Sequence, residues 1–321
     1  MDALSDVLRA VRLTGAVFFD VQASEPWVAE SPPGRTIVGS IFPGADHLMS
    51  YHVVTHGHAW ASAEGEPPIR LAAGDIIVFP HGDPHAMSSA PGLREPPDLS
   101  LFRRPSDRHL PFALSMGAAE PDAAHIVCGF LGCDARPFNP LLAALPRVIR
   151  VSDPAGGAIG PLARFAAAES RDPRIGGECV LGRLSELMFV DVVRRYLETL
   201  PADRTGWLAA LREPFIGRAL TAMHGNPARA WSLDLLAREV GLSRSALAER
   251  FTLIVGQPPM HYLAKWRMQL AASDLLSGVD GVAAIAERVG YESEAAFSRA
   301  FKKLVGVAPG QWRKHRHQAT T

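Results

Sequence analysis

The chain has 321 residues, with 33 Lys and Arg against 33 Asp and Glu and 47% hydrophobic residues. That length accommodates about two domains with separate cores, and no apolar run approaches the ~20 residues of a membrane-spanning helix, since charges interrupt even Leu181–Val193. Asp2 and Asp6, with no uninterrupted apolar stretch beside them, argue against a secretory signal, so a cytoplasmic protein without membrane contact is expected. In chain order, the region from about Gly15 to Leu101 reads as short strands: Thr36–Ile41, Met49–Thr55, Ala59–Ala63, Ile69–Leu71 and Asp75–Phe79. Gly and Pro turns at close spacing separate them, the pattern of an antiparallel barrel or sandwich. From Gly74 the chain runs through five residues to Pro80, then one residue to Gly82, then two to His85.

This stretch is similar to the second signature motif of cupin barrels, which implies that Gly74 and Pro80-x-Gly82 form turns and that His85 points inward. In metal-binding cupins a first motif adds two His at i, i+2 and a Glu. His56-Gly57-His58, followed by Glu64, has that spacing, although Gly57 more naturally occupies a hairpin turn. Two departures stand out: the Gly expected before the pair is Ser50, and the Asn after the second-motif His is Ser89. His52 lies inside a strand and projects to one face, so His52 with His85 is the alternative pair for a divalent metal. Imidazole suits Zn, Fe, Ni or Cu, but three or four convergent ligands are required. Beside the metal readings stands an organic-effector pocket lined by His52, His56, His58 and His85, with the imidazoles serving only as hydrogen-bond partners.

Cys128, Cys133 and Cys179 are the only cysteines, an odd number that makes structural disulfides improbable in a cytosolic chain. Cys128 and Cys133 are candidates for a reversible redox pair if exposed and acidified; buried thiols are more often small hydrophobes. Further on, residues 155 to 200 read as helical. Glu178–Leu200 sets Val180, Leu181, Leu184, Leu187, Met188 and Val192 on one stripe, fit either for homodimerisation or for packing on its own barrel. Pro201 to Pro214 reads as the interdomain connection.

The last third contains one helical module twice. Leu236-Ala237-Arg238-Glu239-Val240-Gly241 recurs 49 residues later as Ile285-Ala286-Glu287-Arg288-Val289-Gly290. Ala237 and Ala286 let a second helix cross closely, and Gly241 and Gly290 end the first helix in a left-handed conformation. Beyond the turn, Leu247 and Phe251 match Phe297 and Phe301 at an offset of 50, as Gly256, Pro259 and Tyr262 match Gly306, Pro309 and Trp312. Two copies are too few for a solenoid and fit a paired DNA-reading unit. Outward positions of the second helices are Arg244, Ser245, Ala248, Glu249 and Arg250 in copy one, and Glu294, Ala295, Ser298, Arg299, Lys302 and Lys303 in copy two. Arg and Lys reach base edges or phosphates, while Ser and Ala let a helix lie close to the bases. Charge agrees: residues 207–321 hold 15 Lys and Arg against 9 Asp and Glu, leaving 18 against 24 for residues 1–206. A basic half of +6 beside an acidic half of −6 points to a polyanion met by the former alone. The tail Arg313–His317 offers further phosphate contacts or is simply a frayed basic end.

Residues of about 213 to 316 resemble the DNA-binding domain of AraC-type transcriptional regulators, through LAREVGLSRSALAERF, GQPPMHYL and IAERVGYESEAAFSRAFKKLVGVAPGQWR. The resemblance implies two helix-turn-helix units joined by a long helix, here roughly Met260 to Leu276, reading major-groove segments ~10 bp apart. Glu292 and Glu294 depart toward acidity near the second reading helix, and leave the sequence preference unreadable. The fold expected is α+β multidomain: a cupin-like antiparallel β-barrel with flanking helices over residues 1–205, and an all-α double helix-turn-helix domain over 206–321. The function expected is a non-enzymatic, effector-sensing regulator of promoter binding, a homodimer with double-stranded DNA and a small molecule as partners and RNA polymerase as a further candidate. The competing readings are a metal-dependent cupin enzyme fused to a DNA-binding domain, a cysteine-based redox regulator, and a DNA-repair methyl acceptor, against which the cysteine spacings argue.

Overall fold

The computed structural model describes residues 2–103, 110–117, 123–152, 157–172, 174–201 and 203–317. In chain order they form α1 (Ala3–Ala10), β1 (Thr14–Ala23), β2 (Val28–Ser31), α2 (Gly34–Ile41), β3 (His47–His56), β4 (His58–Ala63), β5 (Ile69–Ala72), β6 (Asp75–Phe79) and β7 (His85–Ser88). A 3₁₀ turn (Leu99–Phe102) precedes β8 (Phe112–Met116), β9 (Ala124–Cys133), α3 (Pro140–Ala144), β10 (Ile149–Ser152), α4 (Ile159–Arg171) and α5 (Gly177–Thr199). The helical remainder is α6 (Trp207–Arg212), α7 (Pro214–Gly225), α8 (Leu233–Val240), α9 (Arg244–Val255), α10 (Pro259–Ser277), α11 (Val282–Arg288), α12 (Glu294–Val305) and α13 (Pro309–His317).

Two compact units result: Leu13–Cys133 with Pro146–Glu198, and Met1–Arg12 with Asp134–Leu145 and Thr199–Thr321. The units are therefore discontinuous where the sequence reading drew one boundary at 205/206. Of the first 205 residues, 1–12, 134–145 and 199–205 fold with the C-terminal helices. Gln269 of α10 shows why: it is fully buried, donates to the Ala10 carbonyl at 3.0 Å and accepts the Phe138 N–H at 3.0 Å. Arg12 and Asp134 clasp each other within the same unit at 2.7 Å.

The β-rich unit holds a six-stranded sheet ordered β10-β6-β3-β9-β1-β8 and a four-stranded sheet ordered β2-β7-β4-β5. The expected cupin-like β-rich unit takes the form of two sheets rather than a closed barrel, and within it β8 runs parallel to β1. One buried cluster draws on both, with Phe18, Phe19, Phe79 and Phe130 facing Ala59, Ala61, Leu71 and Met87. Thr36–Ile41, expected as a strand, lies inside α2. Its β-branched residues favour a strand, but Gly34, Ile37 and Ile41 are the buried positions, a helical spacing that tertiary packing selects. The motif glycine Gly82 has φ +65, and a Cβ there would come 2.5 Å from the Leu48 carbonyl oxygen. On the other face, α5 lies against β1, where a Cβ on Gly15 would meet the Gly182 carbonyl at 2.6 Å, and Tyr51 and Ser185 share a 2.6 Å hydrogen bond. The apolar stripe of α5 therefore splits: Leu181 and Leu184 pack on Val17 and Val127, whereas Leu187 is 52% and Val180 39% exposed.

In the helical unit the repeat becomes α8–α9 and α11–α12, joined by α10. Ala237 and Ala286 are buried at the crossings together with Leu247, Phe251, Phe297 and Phe301. Ser243 and Ser293 cap the second helices by accepting the N–H of Ala246 and Ala296. Gly241 and Gly290 take φ +78 and +83 as expected. At Gly290 a side chain is also excluded by space, since a Cβ would lie 2.6 Å from the Ala228 carbonyl oxygen. Arg267 of α10 fastens that junction, donating to the carbonyls of Pro227 and Arg229 at 2.8 and 2.9 Å.

Candidate nucleic-acid interface and apolar cavity

The outward faces of α9 and α12 carry the residues singled out by the repeat. On α9, Arg244, Ser245 and Glu249 are exposed and Ala248 is half-buried; on α12, Glu294, Ala295, Arg299, Lys302 and Lys303 are exposed and Ser298 is half-buried. Arg250 departs from the expectation. Its guanidinium lies 2.7 Å from Glu213 and 5.2 Å from the Phe215 ring centre, so it is committed to the N-terminus of α7 rather than free for a ligand. Glu213 itself caps that helix through the N–H groups of Phe215 and Ile216. Arg244 keeps only a loose pairing with Asp234 at 3.7 Å, with both side chains more than half exposed. Of the tail, Arg313 bonds the Asp280 carbonyl at 2.5 Å, while the side chains of residues 315–317 lie outside the described residues.

In the β-rich unit the four histidines separate. His56 and His58 flank the Gly57 hairpin, where Gly57 has φ +71; His56 faces His125 across the sheet, and His58 lies 3.6 Å from Glu25. Neither reaches the interior, which corrects their assignment to an effector pocket: the hairpin turn carries both to the edge. His52 and His85 do meet, with their Nε2 atoms 2.7 Å apart. That is a hydrogen-bond distance; two imidazoles on one tetrahedral ion, each ~2.0–2.1 Å from it, would hold their nitrogens ~3.3 Å apart. Among the described residues no group of three His, Cys, Asp or Glu is placed to hold a metal. The donor set and its spacing do not fit the divalent ion read from the motif.

Burial dictates the protonation of the pair. It depresses His85 to about 4 and pushes His52 well below the ordinary imidazole value, so both are neutral near pH 7. His85 Nδ1 contacts the Asp83 carbonyl at 2.8 Å, and a carbonyl only accepts, so His85 carries its proton on Nδ1. Its Nε2 then accepts, and His52 must donate from Nε2. The stacking of His85 on Phe79, with centroids 3.7 Å apart, fixes the ring planes.

His52 lines a cavity of about 250 Å³ between the two sheets, walled chiefly by Phe19, Trp27, Phe102, Ile126 and Phe130. Glu30 at its edge is neutralised by Arg94, whose second nitrogen lies 2.9 Å from the carboxylate. No single motif contains this wall; its members come from β1, β2, β3, β7, β8, β9 and the 3₁₀ turn, and the sequence singled out only His52 and Cys128 among them. Cys128 also lines it, but a pairing with Cys133 is overturned. The two sit five residues apart on β9, ~16 Å along an extended strand, beyond the ~7 Å Cα limit for a disulfide. Both are buried, and burial drives the Cys128 thiol upward, away from reactivity.

A two-sheet unit with an apolar cavity, joined to tandem helix-turn-helix units, defines a class of DNA-binding regulator, and comparison with known proteins agrees. The cupin family model matches residues 2–198 and a helix-turn-helix domain model matches residues 236–315. The chain is similar to an AraC-like transcription regulator of Streptomyces lividans, with 31% identity over 98% of this chain and 99% of the relative. It is similar to the HTH-type transcriptional regulator AlkR of Acinetobacter baylyi, with 28% identity over 98% and 99%. Among solved structures, the C-terminal domain of AraT, a response regulator from Geobacillus stearothermophilus, aligns with 32% of this chain and 86% of that chain at 35% identity and a TM-score of 0.32. The chain belongs to the AraC family of transcriptional regulators with a cupin-like N-terminal domain. No helix among the described residues is long and apolar enough to cross a membrane.

Proposed function

We propose that this regulator reads DNA through the outward faces of α9 and α12 and that a small molecule entering the cavity between the sheets changes its promoter occupancy. The observation that carries the reading is the course of β1 and β9. Both line the cavity, through Phe19 and Val21 and through Ile126 and Phe130. β1 follows directly on the segment Met1–Arg12, and β9 leads directly into Asp134–Leu145. Both segments hold Gln269 in the middle of the helix that joins the two DNA-reading motifs. A ligand that favours one arrangement of these strands thereby biases how the motifs are presented, by no more than its difference in affinity for the two arrangements. Arg244, Ser245, Ala248 and Glu249 of α9, and Glu294, Ala295, Ser298, Arg299, Lys302 and Lys303 of α12, are the proposed contacts. Exposed Val180 and Leu187 of α5 support a homodimer built on that helix.

The test is selection of duplexes from a random library by the full chain, followed by anisotropy titration of the winning site. An Arg299→Ala variant is expected to lose about 1–3 kcal/mol and to relax preference at one base pair. Failure to enrich any sequence would overturn the reading; unchanged affinity in the variant would remove Arg299 alone.

A further inference from the structure

The cavity wall is apolar and aromatic, yet one buried polar atom on it has no partner among the described residues. His52 lines the cavity, is 6% exposed, and its Nδ1 makes no hydrogen bond to any of them. The relay running from the Asp83 carbonyl through His85 fixes the state of that atom. Because His85 donates from Nδ1 and accepts at Nε2, His52 must donate from Nε2, which leaves Nδ1 a bare lone pair. A buried acceptor without a donor is a standing penalty that a ligand can remove. The charges nearby point the same way. Glu30, Glu95 and Asp98 are the ionisable residues at the edge of the described lining besides His52 and Cys128, and Asp98 already accepts from Ser100. With Glu30 paired to Arg94, an anionic ligand would still meet the carboxylates of Glu95 and Asp98 and a lone pair. Around the same space, Phe19, Phe102 and Phe130 stand edge to face, at centroid distances of 5.8 and 6.1 Å, ready to enclose a ring.

Building on the cavity reading above, we infer that the effector is an uncharged, largely apolar molecule, best an aromatic one, carrying a hydroxyl or N–H that donates to His52 Nδ1. His85 is a positioning residue: it holds His52 in the one tautomer that offers an acceptor to the cavity. This arrangement selects against ethers and hydrocarbons of the same shape, because they leave the lone pair buried and unpaired. It selects against carboxylates by charge.

The experiment uses the full chain and three probes of one shape: 2-naphthol, 2-methoxynaphthalene and 2-naphthoate. The phenolic hydroxyl remains protonated at neutral pH. Calorimetric titration is expected to show 2-naphthol bound about 10-fold more tightly than either analogue. In a His52→Phe variant the preference for naphthol over its ether should collapse to about onefold while the ether still binds. Long-range nitrogen–proton correlation of the imidazoles reports the tautomers directly, with Nε2–H expected on His52 and Nδ1–H on His85. In a His85→Phe variant the His52 tautomer is expected to mix and the naphthol preference to shrink, which loss of packing alone would not produce. Equal binding of naphthol and ether by the wild type, or an Nδ1 proton on His52, would overturn the donor inference and leave the cavity reading standing. Should the tautomers be as deduced and no probe bind, the cavity reading itself would fall, and the inference with it.

Discussion

The two helix-turn-helix copies share a scaffold but not a surface. Both bury an alanine at the helix crossing and an i, i+4 apolar pair beneath the second helix. Outside, two cations of copy one are already engaged: Arg250 is held by Glu213 at the N-terminus of α7, and Arg244 leans toward Asp234. Copy two ends its second helix with Lys302 and Lys303, and Arg299 stands exposed one turn before; none of these three makes an ion pair within 4.0 Å among the described residues. Duplication therefore kept the packing code while the polar positions diverged. Copy one is the better candidate for close approach through Ser245 and Ala248, and copy two for phosphate attraction.

The largest way to break this comparison is to destroy each copy in turn. Ala237→Leu and Ala286→Leu put three extra carbons where the parent side chains are 2% and 1% exposed. Overpacking of this kind costs about 1–3 kcal/mol or moves the helices apart, so specific binding should be lost in both. Non-specific affinity, measured on a scrambled duplex, should fall further for Ala286→Leu, because the free cations lie on copy two. Equal loss would show the electrostatic division between the copies to be wrong.

What the sequence revealed and what it hid follow from range. The helix-turn-helix repeat was legible because its signals are local: a glycine cap, a small residue at the crossing, an i, i+4 pair. The long helix was placed at Met260–Leu276 and lies at Pro259–Ser277 for the same reason. Thr36–Ile41 misled because β-branched composition outweighed a two-residue helical spacing. The cavity was almost invisible, since its aromatic wall is assembled from strands far apart in sequence. The meeting of His52 and His85 was foreseen from one motif and one strand, but their chemistry depended on the Asp83 carbonyl, which no pattern announces. Gln269, inside an otherwise apolar helix, was the one missed residue with a readable signal: a buried amide needs partners, and these come from residues 10 and 138.

A second asymmetry sharpens the comparison at lower pH. The core beside copy one contains His224, stacked on Trp266 with centroids 4.0 Å apart and bonded to Tyr262 at 2.7 Å; among the described residues of copy two no histidine is buried. Burial depresses His224 to about 3. A histidine depressed on folding binds fewer protons in the native state, so its stabilising contribution is complete above the unfolded value near 6.5. That contribution is lost progressively as pH falls toward 3. By pH 5 the loss should be about 2 kcal/mol. Hydrogen exchange, corrected for intrinsic rates, should show α7 amides losing protection between pH 6.5 and 5 while those of α12 hold. Parallel loss in both helices would mean that acid acts elsewhere.

The smallest effect concerns salt. Each cation that neutralises a phosphate releases a counterion, so its removal should lower the slope of log affinity against log salt by about 0.9. Lys302→Ala and Lys303→Ala should each do so on any duplex, with little change in sequence preference. Arg250→Ala should leave the slope unchanged, because its guanidinium already has a carboxylate 2.7 Å away; instead it should cost about 0.5–1 kcal/mol of stability, the scale of a partly exposed ion pair. A slope that falls for Arg250→Ala and not for the lysines would reverse the roles of the two copies: copy one would then give up its pairing with Glu213 on meeting DNA, and the charge at the end of α12 would be only a solvated helix terminus.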